Sequence, residues 1–144
     1  MTKFYSTVEN CKLIELPKIH NPAGNITVIQ NGELLPFEVK RVYYLYDIPG
    51  GAARGGHAHK SLYQLLVSVS GSFDIIIDDG NIKKIINLNK PYYGLIIPPG
   101  IWREIVNFSS GSICLVLASQ NYDEKDYIRN YYEFKKIKDG SPLI

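Results

Sequence analysis

A chain of 144 residues with 45% hydrophobic content can enclose one well-buried core and is too short for two ordinary domains, so a single domain over residues 1–144 is expected. Sixteen basic against fourteen acidic residues leave a formal charge of +2, and no Lys/Arg run is interleaved with aromatics as a nucleic-acid groove requires, so nucleic acid is not an expected partner. No apolar run approaches a membrane span, the N-terminus lacks the apolar core of a secretory signal, and Cys11 and Cys114 show no metal-ligand or redox spacing; a cytoplasmic protein with reduced thiols is expected.

Short segments rich in β-branched and aromatic residues, separated by turn signals, run through the chain, while long helical periodicity does not. Residues 12–16 are a first predicted strand ended by Pro17, residues 20–25 (HNPAGN) a turn, and residues 26–30 a second strand before the turn Asn31-Gly32. The run KRVYYLYDI at 40–48 is a strong strand that puts Arg41 and Tyr43 on one face and Tyr44 and Tyr46 on the other. A Gly-rich loop then leads to His57 and His59. Strands follow at 62–69 and 73–77, and Asp79-Gly80 is predicted as a two-residue type I′ hairpin turn before the run NIKKIINL. Strands at 93–97, 102–108 and 112–118 complete the series, with Pro98-Pro99-Gly100 between the first two and Trp102 expected to point away from Arg103. In the tail, Asp123 is expected to cap a short helix over 124–134, with residues 135–144 polar and prone to fray. About ten short strands predict an all-β, antiparallel jelly-roll β-barrel with a short C-terminal helix.

Residues 51–71, GAARGGHAHKSLYQLLVSVSG, carry the densest chemistry: Gly, five residues, His57, one residue, His59, four residues, Gln64, six residues, Gly71. On a strand, i, i+2 spacing sends both imidazoles to one face. The pattern resembles the first signature of the cupin superfamily, with Gln64 where a Glu normally stands. A second cupin signature is matched by Pro98-Pro99-Gly100, then Arg103 and Asn107, with Arg103 at the place of the third metal-binding His. Gln64 offers only a weak neutral carbonyl, and Arg103 has no lone pair while its permanent charge repels a cation, so no metal is expected. His57 and His59 are then available for proton transfer, unless they are packed core histidines. Arg103 reads as an inward group for a phosphate, a sugar oxygen or an oxyanion, or as a surface partner of Glu104. Arg41 and Arg54 suit a phosphate or solvent, Tyr43 a cavity face or the core, and Trp102 packing or a pocket edge.

Beyond the cupin signatures, the combination of RVYYLYD, RGGHAHK, IDDGN, PPGIWRE and VLASQNYDEKDYIRNYYEF resembles the metal-free, WxcM-like sugar-nucleotide 3,4-oxoisomerases, over a core at about residues 26–134. The resemblance implies a dTDP-4-oxo-6-deoxy-D-glucose substrate, no cofactor and a homodimer that exchanges β-strands. It also implies a product taken by a PLP-dependent aminotransferase, towards a 3-amino-3,6-dideoxyhexose of a surface polysaccharide such as lipopolysaccharide. In that chemistry His59 is expected to lead as the base at C3 and His57 to be its partner. Arg103 would orient the sugar or stabilise an enediolate, and Arg54, Arg41, Tyr43, Gln64 and Trp102 complete the expected substrate-binding set. In the family, galacto products go with an Arg at the position of Ala23 and a His at that of Arg103, and gluco products with an Arg at the latter, which implies dTDP-3-oxo-6-deoxy-D-glucose here. A dTDP-sugar 3,5-epimerase, a metal-dependent cupin oxygenase and a non-catalytic sugar-nucleotide binding module stay open as other readings of the same residues.

Overall fold

The computed structural model describes residues 6–139. In chain order its strands are β1 (Lys12–Glu15), β2 (Lys18–Ile19), β3 (Ile26–Thr27), β4 (Arg41–Leu45), β5 (Arg54–His59), β6 (Gln64–Ser70), β7 (Phe73–Asp78), β8 (Lys83–Leu88), β9 (Tyr93–Ile97), β10 (Trp102–Val106), β11 (Ile113–Ala118) and β12 (Tyr127–Ile128), followed by helix α1 (Tyr131–Lys138). Two five-stranded sheets face each other, in the orders β1-β9-β6-β11-β4 and β12-β5-β10-β7-β8, and every strand pairing described is antiparallel. This is the expected jelly-roll barrel with one short C-terminal helix.

Alternation along the strands decides what fills the space between the sheets. Leu66, Phe73, Ile75, Ile77, Leu95, Ile97, Ile105, Cys114 and Val116 point inward and form the main core. The first sheet is apolar on its other face too, where Leu65, Val67, Ile96 and Leu117 pack beneath Leu16, Leu35, Ile29, Phe37 and Val39 from the segment joining β1 to β4. A strand covered on both faces reads as a continuous apolar run, which is why Leu65, Leu66 and Val67 are consecutive. Gly94 serves this packing: a Cβ there would stand 2.6 Å from Leu65 Cδ1.

The outer face of the second sheet is closed by the C-terminal segment. Ala58, Trp102, Ile128, Phe134 and Ile137 form a separate cluster under α1. A helix of eight residues is marginal alone. Here Asn130 Oδ1 accepts from Glu133 N at 3.0 Å as its N-cap, and burial of Phe134 and Ile137 contributes roughly 1.5–3 kcal/mol each. The basic last turn is used as well: Lys135 Nζ donates to Gly80 O, and Lys138 Nζ donates to Gly100 O at 2.9 Å.

Four local expectations are corrected. The strand expected at 26–30 is only β3, Ile26–Thr27, because this segment crosses over the first sheet and pairs only with β2. The turn after β7 is a four-residue loop closed by Asp78 opposite Lys83, and only Gly80 has a positive φ. Asp79 does not enter the left-handed region a type I′ turn demands, since its carboxylate instead accepts from Val8 N, Asn81 N and Ile82 N at 2.8–2.9 Å. The helix expected over 124–134 is split: Asp123 caps only a 3₁₀ turn, Glu124–Asp126, by accepting from Lys125 N, and β12 then pairs with β5 before α1 begins. Residues 135–138 complete α1 where fraying was expected, and residues 140–144 lie outside those described. Among the described residues, no helix is long and apolar enough to cross a membrane.

Candidate active site

Between the sheets, at one end of the core, lies a cavity of about 660 Å³. Its walls come from β4, β5, β6, β10 and β11 and from the segment that leads through Tyr122 and Tyr127 to Arg129. On β4 the burial alternates, so Arg41, Tyr43 and Leu45 turn towards the interior while Val42 and Tyr44 are exposed. The expected pairing of Arg41 with Tyr43 on one face is therefore present, and both residues line the cavity.

The two histidines ride on β5 itself and not on a loop before it. Gly55 makes their placement possible. It has φ +95, and a Cβ there would meet Arg103 O at 3.1 Å, so only glycine lets β5 approach β10 at the irregularity between Arg103 and Glu104. Its carbonyl accepts from His57 Nδ1 at 2.6 Å, and because a carbonyl can only accept, the Nδ1 of His57 carries the proton and its Nε2 keeps a lone pair. His59 repeats the arrangement with a carboxylate: its Nδ1 donates to Asp126 Oδ2 at 3.0 Å, while Asp126 Oδ1 accepts from Ser61 N at 2.8 Å. Both Nε2 atoms are buried without a hydrogen-bond partner among the described residues, and the rings meet edge to face, 4.7 Å between centroids.

The two rings lie at different depths. His57 lines the cavity, whereas His59 lies fully buried behind it, between His57, Tyr127 and Asp126. Burial, reinforced by the Arg103 charge, pushes the His57 imidazole down to about 3, and burial with Arg103 and His57 lowers His59 in the same direction. Both rings are therefore neutral at pH 7. Two consequences can be measured. Any turnover at this site, followed as kcat/KM, should show no inflection near the ordinary histidine value of about 6.5 as pH falls from 8 to 6. Below about pH 6.5 the unfolded chain takes up protons that the folded chain refuses, so the melting temperature should decline as pH falls from there towards 3, with a shallower decline in His57→Asn.

Arg103 is the largest fully buried side chain, 1% exposed. Its Nε and Nη2 donate to Ile101 O at 3.2 and 3.1 Å, and its Nη1 donates to Gln64 Oε1. A surface pairing with Glu104 is thereby excluded. Burial lowers the guanidinium to about 10, which leaves it charged at neutral pH. Because Gln64 and Arg103 are bonded to each other, the cupin metal positions keep only the two imidazoles, short of the three or four donors that a divalent first-row metal takes from a protein. Gln64 is also occupied on its other side, where Nε2 donates to the Tyr43 hydroxyl at 2.9 Å.

Cationic groups dominate the charged part of the lining. Arg41, Arg54, Arg103 and Arg129 line the cavity against a single acid, Glu104. The Arg41 guanidinium lies over the rings of Tyr43 and Tyr122, 5.1 and 5.7 Å from their centroids, and its Nε and Nη2 are buried without a partner among the described residues. Unpaired guanidinium donors beside an open cavity are a ready site for an anion such as a diphosphate. Arg129 is held differently, donating to both carboxylate oxygens of Glu124 at 2.6 and 2.9 Å and lying 4.3 Å over the Tyr127 ring.

Of the sequence-derived candidates, His57, Arg103, Arg54, Arg41, Tyr43 and Gln64 converge on the cavity, with His59 directly behind it. Trp102 does not: strand alternation turns it to the opposite face of β10, where it packs edge to face on Tyr131 and beside Phe134. Asp126, Tyr127 and Arg129 escaped sequence reading because they fall in the segment expected to be one helix, and Tyr122 because nothing in its local pattern set it apart from the other tyrosines. Division of that segment by the β12 pairing leaves Tyr127 and Arg129 on the cavity wall and Asp126 behind it on His59.

Comparison with known proteins places this geometry in context. The family profile described as FdtA: WxcM-like, C-terminal matches residues 9–139. A TDP-4-oxo-6-deoxy-alpha-D-glucose-3,4-oxoisomerase from Aneurinibacillus thermoaerophilus is 47% identical over 125 residues, covering 87% of this chain and 90% of that protein. Among solved structures, the TDP-quinovose 3,4-ketoisomerase WlaRB from Campylobacter jejuni is 48% identical with a TM-score of 0.85, over 89% of this chain and 98% of that one. The sugar 3,4-ketoisomerase QdtA from Thermoanaerobacterium thermosaccharolyticum, solved with TDP, is 40% identical with a TM-score of 0.90, over 93% and 98% of the two chains.

Proposed function

The chain belongs to the WxcM-like FdtA family, and from that premise we propose that its cavity binds TDP-4-keto-6-deoxyglucose and moves the ketone from C4 to C3 with His57 as the base at C3. The protein is a TDP-sugar 3,4-ketoisomerase. The observation that carries the residue assignment is the neutral, Nδ1-protonated His57 on the cavity wall, whose unpartnered Nε2 has a lone pair to offer.

The chemistry requires only proton transfers. The C3 proton is α to the C4 ketone; its removal to an imidazole gives an enediolate, and delivery of a proton to C4 leaves the ketone at C3. In the same step the O3 proton is given up and O4 gains one, so the sugar's composition is unchanged. His59, its tautomer fixed by Asp126, stands next to His57 to take or return the second proton. Arg103 lies charged at the cavity floor, where charge developing on the enediolate is stabilised without any reorganisation. Arg41 and Arg54 suit the diphosphate.

The proposal extends to the gluco product, TDP-3-keto-6-deoxyglucose, supported by Arg103 at the position where gluco-forming relatives carry an arginine. Proton NMR of the purified protein with TDP-4-keto-6-deoxyglucose in D₂O tests both parts. Loss of the C3 proton and the appearance of deuterium at C4 of a new 3-keto sugar are expected, and the H4–H5 coupling of the product formed in a parallel reaction in H₂O reports the gluco configuration. Exchange at C5 would point to a 3,5-epimerase instead.

Further proposals rest on the family. A homodimer that exchanges strands is supported by the exposed Ile19, Ile26, Val28 and Leu34 between β1 and β4, and a monomer in sedimentation equilibrium would refute it, while a cytoplasmic location rests on the family alone. A 3-ketone suits a PLP-dependent aminotransferase making an amino sugar for a surface glycan, which amination at C3 in a coupled assay would check.

A further inference from the structure

We propose that Gln64 is a positioning residue: its side-chain amide sets the direction of the Tyr43 hydroxyl, so that this phenol donates its proton into the cavity, to the sugar oxygen on which charge develops. The substrate half of this statement rests on the ketoisomerase reading. The hydrogen-bond direction does not.

The direction follows from which groups can donate and which can only accept. Arg103 has five N–H donors and no acceptor, and it is held in place by its two bonds to Ile101 O. Whatever faces its Nη1 must accept, so the oxygen of the Gln64 amide is turned to Arg103. The other end of that amide is then NH₂, and it donates to the Tyr43 oxygen at 2.9 Å. A phenol oxygen that accepts from Gln64 cannot also use its own hydrogen there. Gln64 is 2% exposed and Tyr43 lines the cavity, so the Tyr43 hydrogen is left for a ligand. The ring itself is steadied by the Arg41 guanidinium over its face.

This gives a physical reason for glutamine where the cupin signature carries glutamate. A carboxylate at position 64 would still satisfy Arg103, but both of its oxygens accept. Tyr43 would then turn its hydrogen back towards residue 64 and present only lone pairs to an enediolate, a repulsive contact in place of a stabilising one.

The test compares the full-length wild type with Gln64→Glu, Tyr43→Phe and the double variant, using TDP-4-keto-6-deoxyglucose. Loss of one preorganised donor to an oxyanion costs on the order of 10²-fold in kcat. That loss is expected in Gln64→Glu with KM little changed, in Tyr43→Phe to a similar extent, and in the double variant with no further decrease. Wild-type turnover in Gln64→Glu, or losses that multiply in the double variant, would overturn the proposal. A second readout needs no turnover: the Tyr43 phenolate absorbance, obtained by difference from the Tyr43→Phe partner, should develop at higher pH in Gln64→Glu than in wild type. Gln64→Met, which removes the donated bond without adding charge, should move it the same way by less. An unmoved or lowered midpoint refutes the assigned direction. If wild type shows no isomerisation, the ketoisomerase reading fails by itself and the titration still decides which way the phenol points.

Discussion

His57→Asn is expected to lower kcat by about 10²–10⁴-fold while leaving KM nearly unchanged, because it removes a general base from the cavity wall without opening the fold. The substitution is chosen for what it keeps. An asparagine amide can still donate to Gly55 O, which His57 Nδ1 reaches at 2.6 Å, so the local β5 geometry and the approach of Gly55 to Arg103 survive. What disappears is the Nε2 lone pair. The decisive readout is hydrogen exchange at C3 in D₂O, which should fall with kcat. Exchange at the wild-type rate would transfer the role of base to His59, the order the sequence favoured.

Asp126→Asn is expected to cost on the order of 10²–10⁴-fold in kcat, although Asp126 does not reach the cavity lining, since an amide in place of an orienting carboxylate holds a catalytic imidazole in the wrong tautomer. Asp126 serves two donors at once, Ser61 N on Oδ1 and His59 Nδ1 on Oδ2. Asparagine has one oxygen. If that oxygen keeps the backbone bond to Ser61, its NH₂ faces His59, Nδ1 must accept, and the proton is forced to Nε2. The lone pair available for catalysis is then lost while the protein remains folded. Nitrogen-15 shifts of the His59 ring would report the tautomer directly. Undiminished kcat with an inverted tautomer would remove His59 from the proton path.

The sequence made the barrel and most of its chemical constellation legible, for a specific reason. Period-two alternation in β4 and the i, i+2 spacing in β5 are local properties, so Arg41 with Tyr43, and His57 with His59, could be placed on shared faces before any tertiary contact was known. The same reasoning turned Trp102 away from Arg103. Where tertiary partners override local preference, the reading failed. The run from Glu124 to Phe134 has the composition of a capped helix, yet two of its residues gain more by pairing with β5, and Asp126 gains a buried histidine and a backbone donor. Asp79-Gly80 carries a strong hairpin signature, but Asp79 is recruited by Val8 N from a distant part of the chain. The depth order of the two histidines was equally hidden, because spacing gives a face and not a distance from the opening.

The loop before β10 ties together parts of the protein that lie far apart in sequence. Ser6 Oγ donates to Pro99 O at 2.6 Å, Gly100 N donates to His59 O at 2.8 Å, and Lys138 Nζ reaches both Gly100 O and, at 2.5 Å, Ser6 O. The next residue, Ile101, supplies the carbonyl that holds Arg103. The beginning and the end of the described chain thus act as a single latch on the segment that sets the height of the buried guanidinium. Substitution of Ser6 or Lys138, residues that touch no part of the cavity, would here be felt at the active site through this latch.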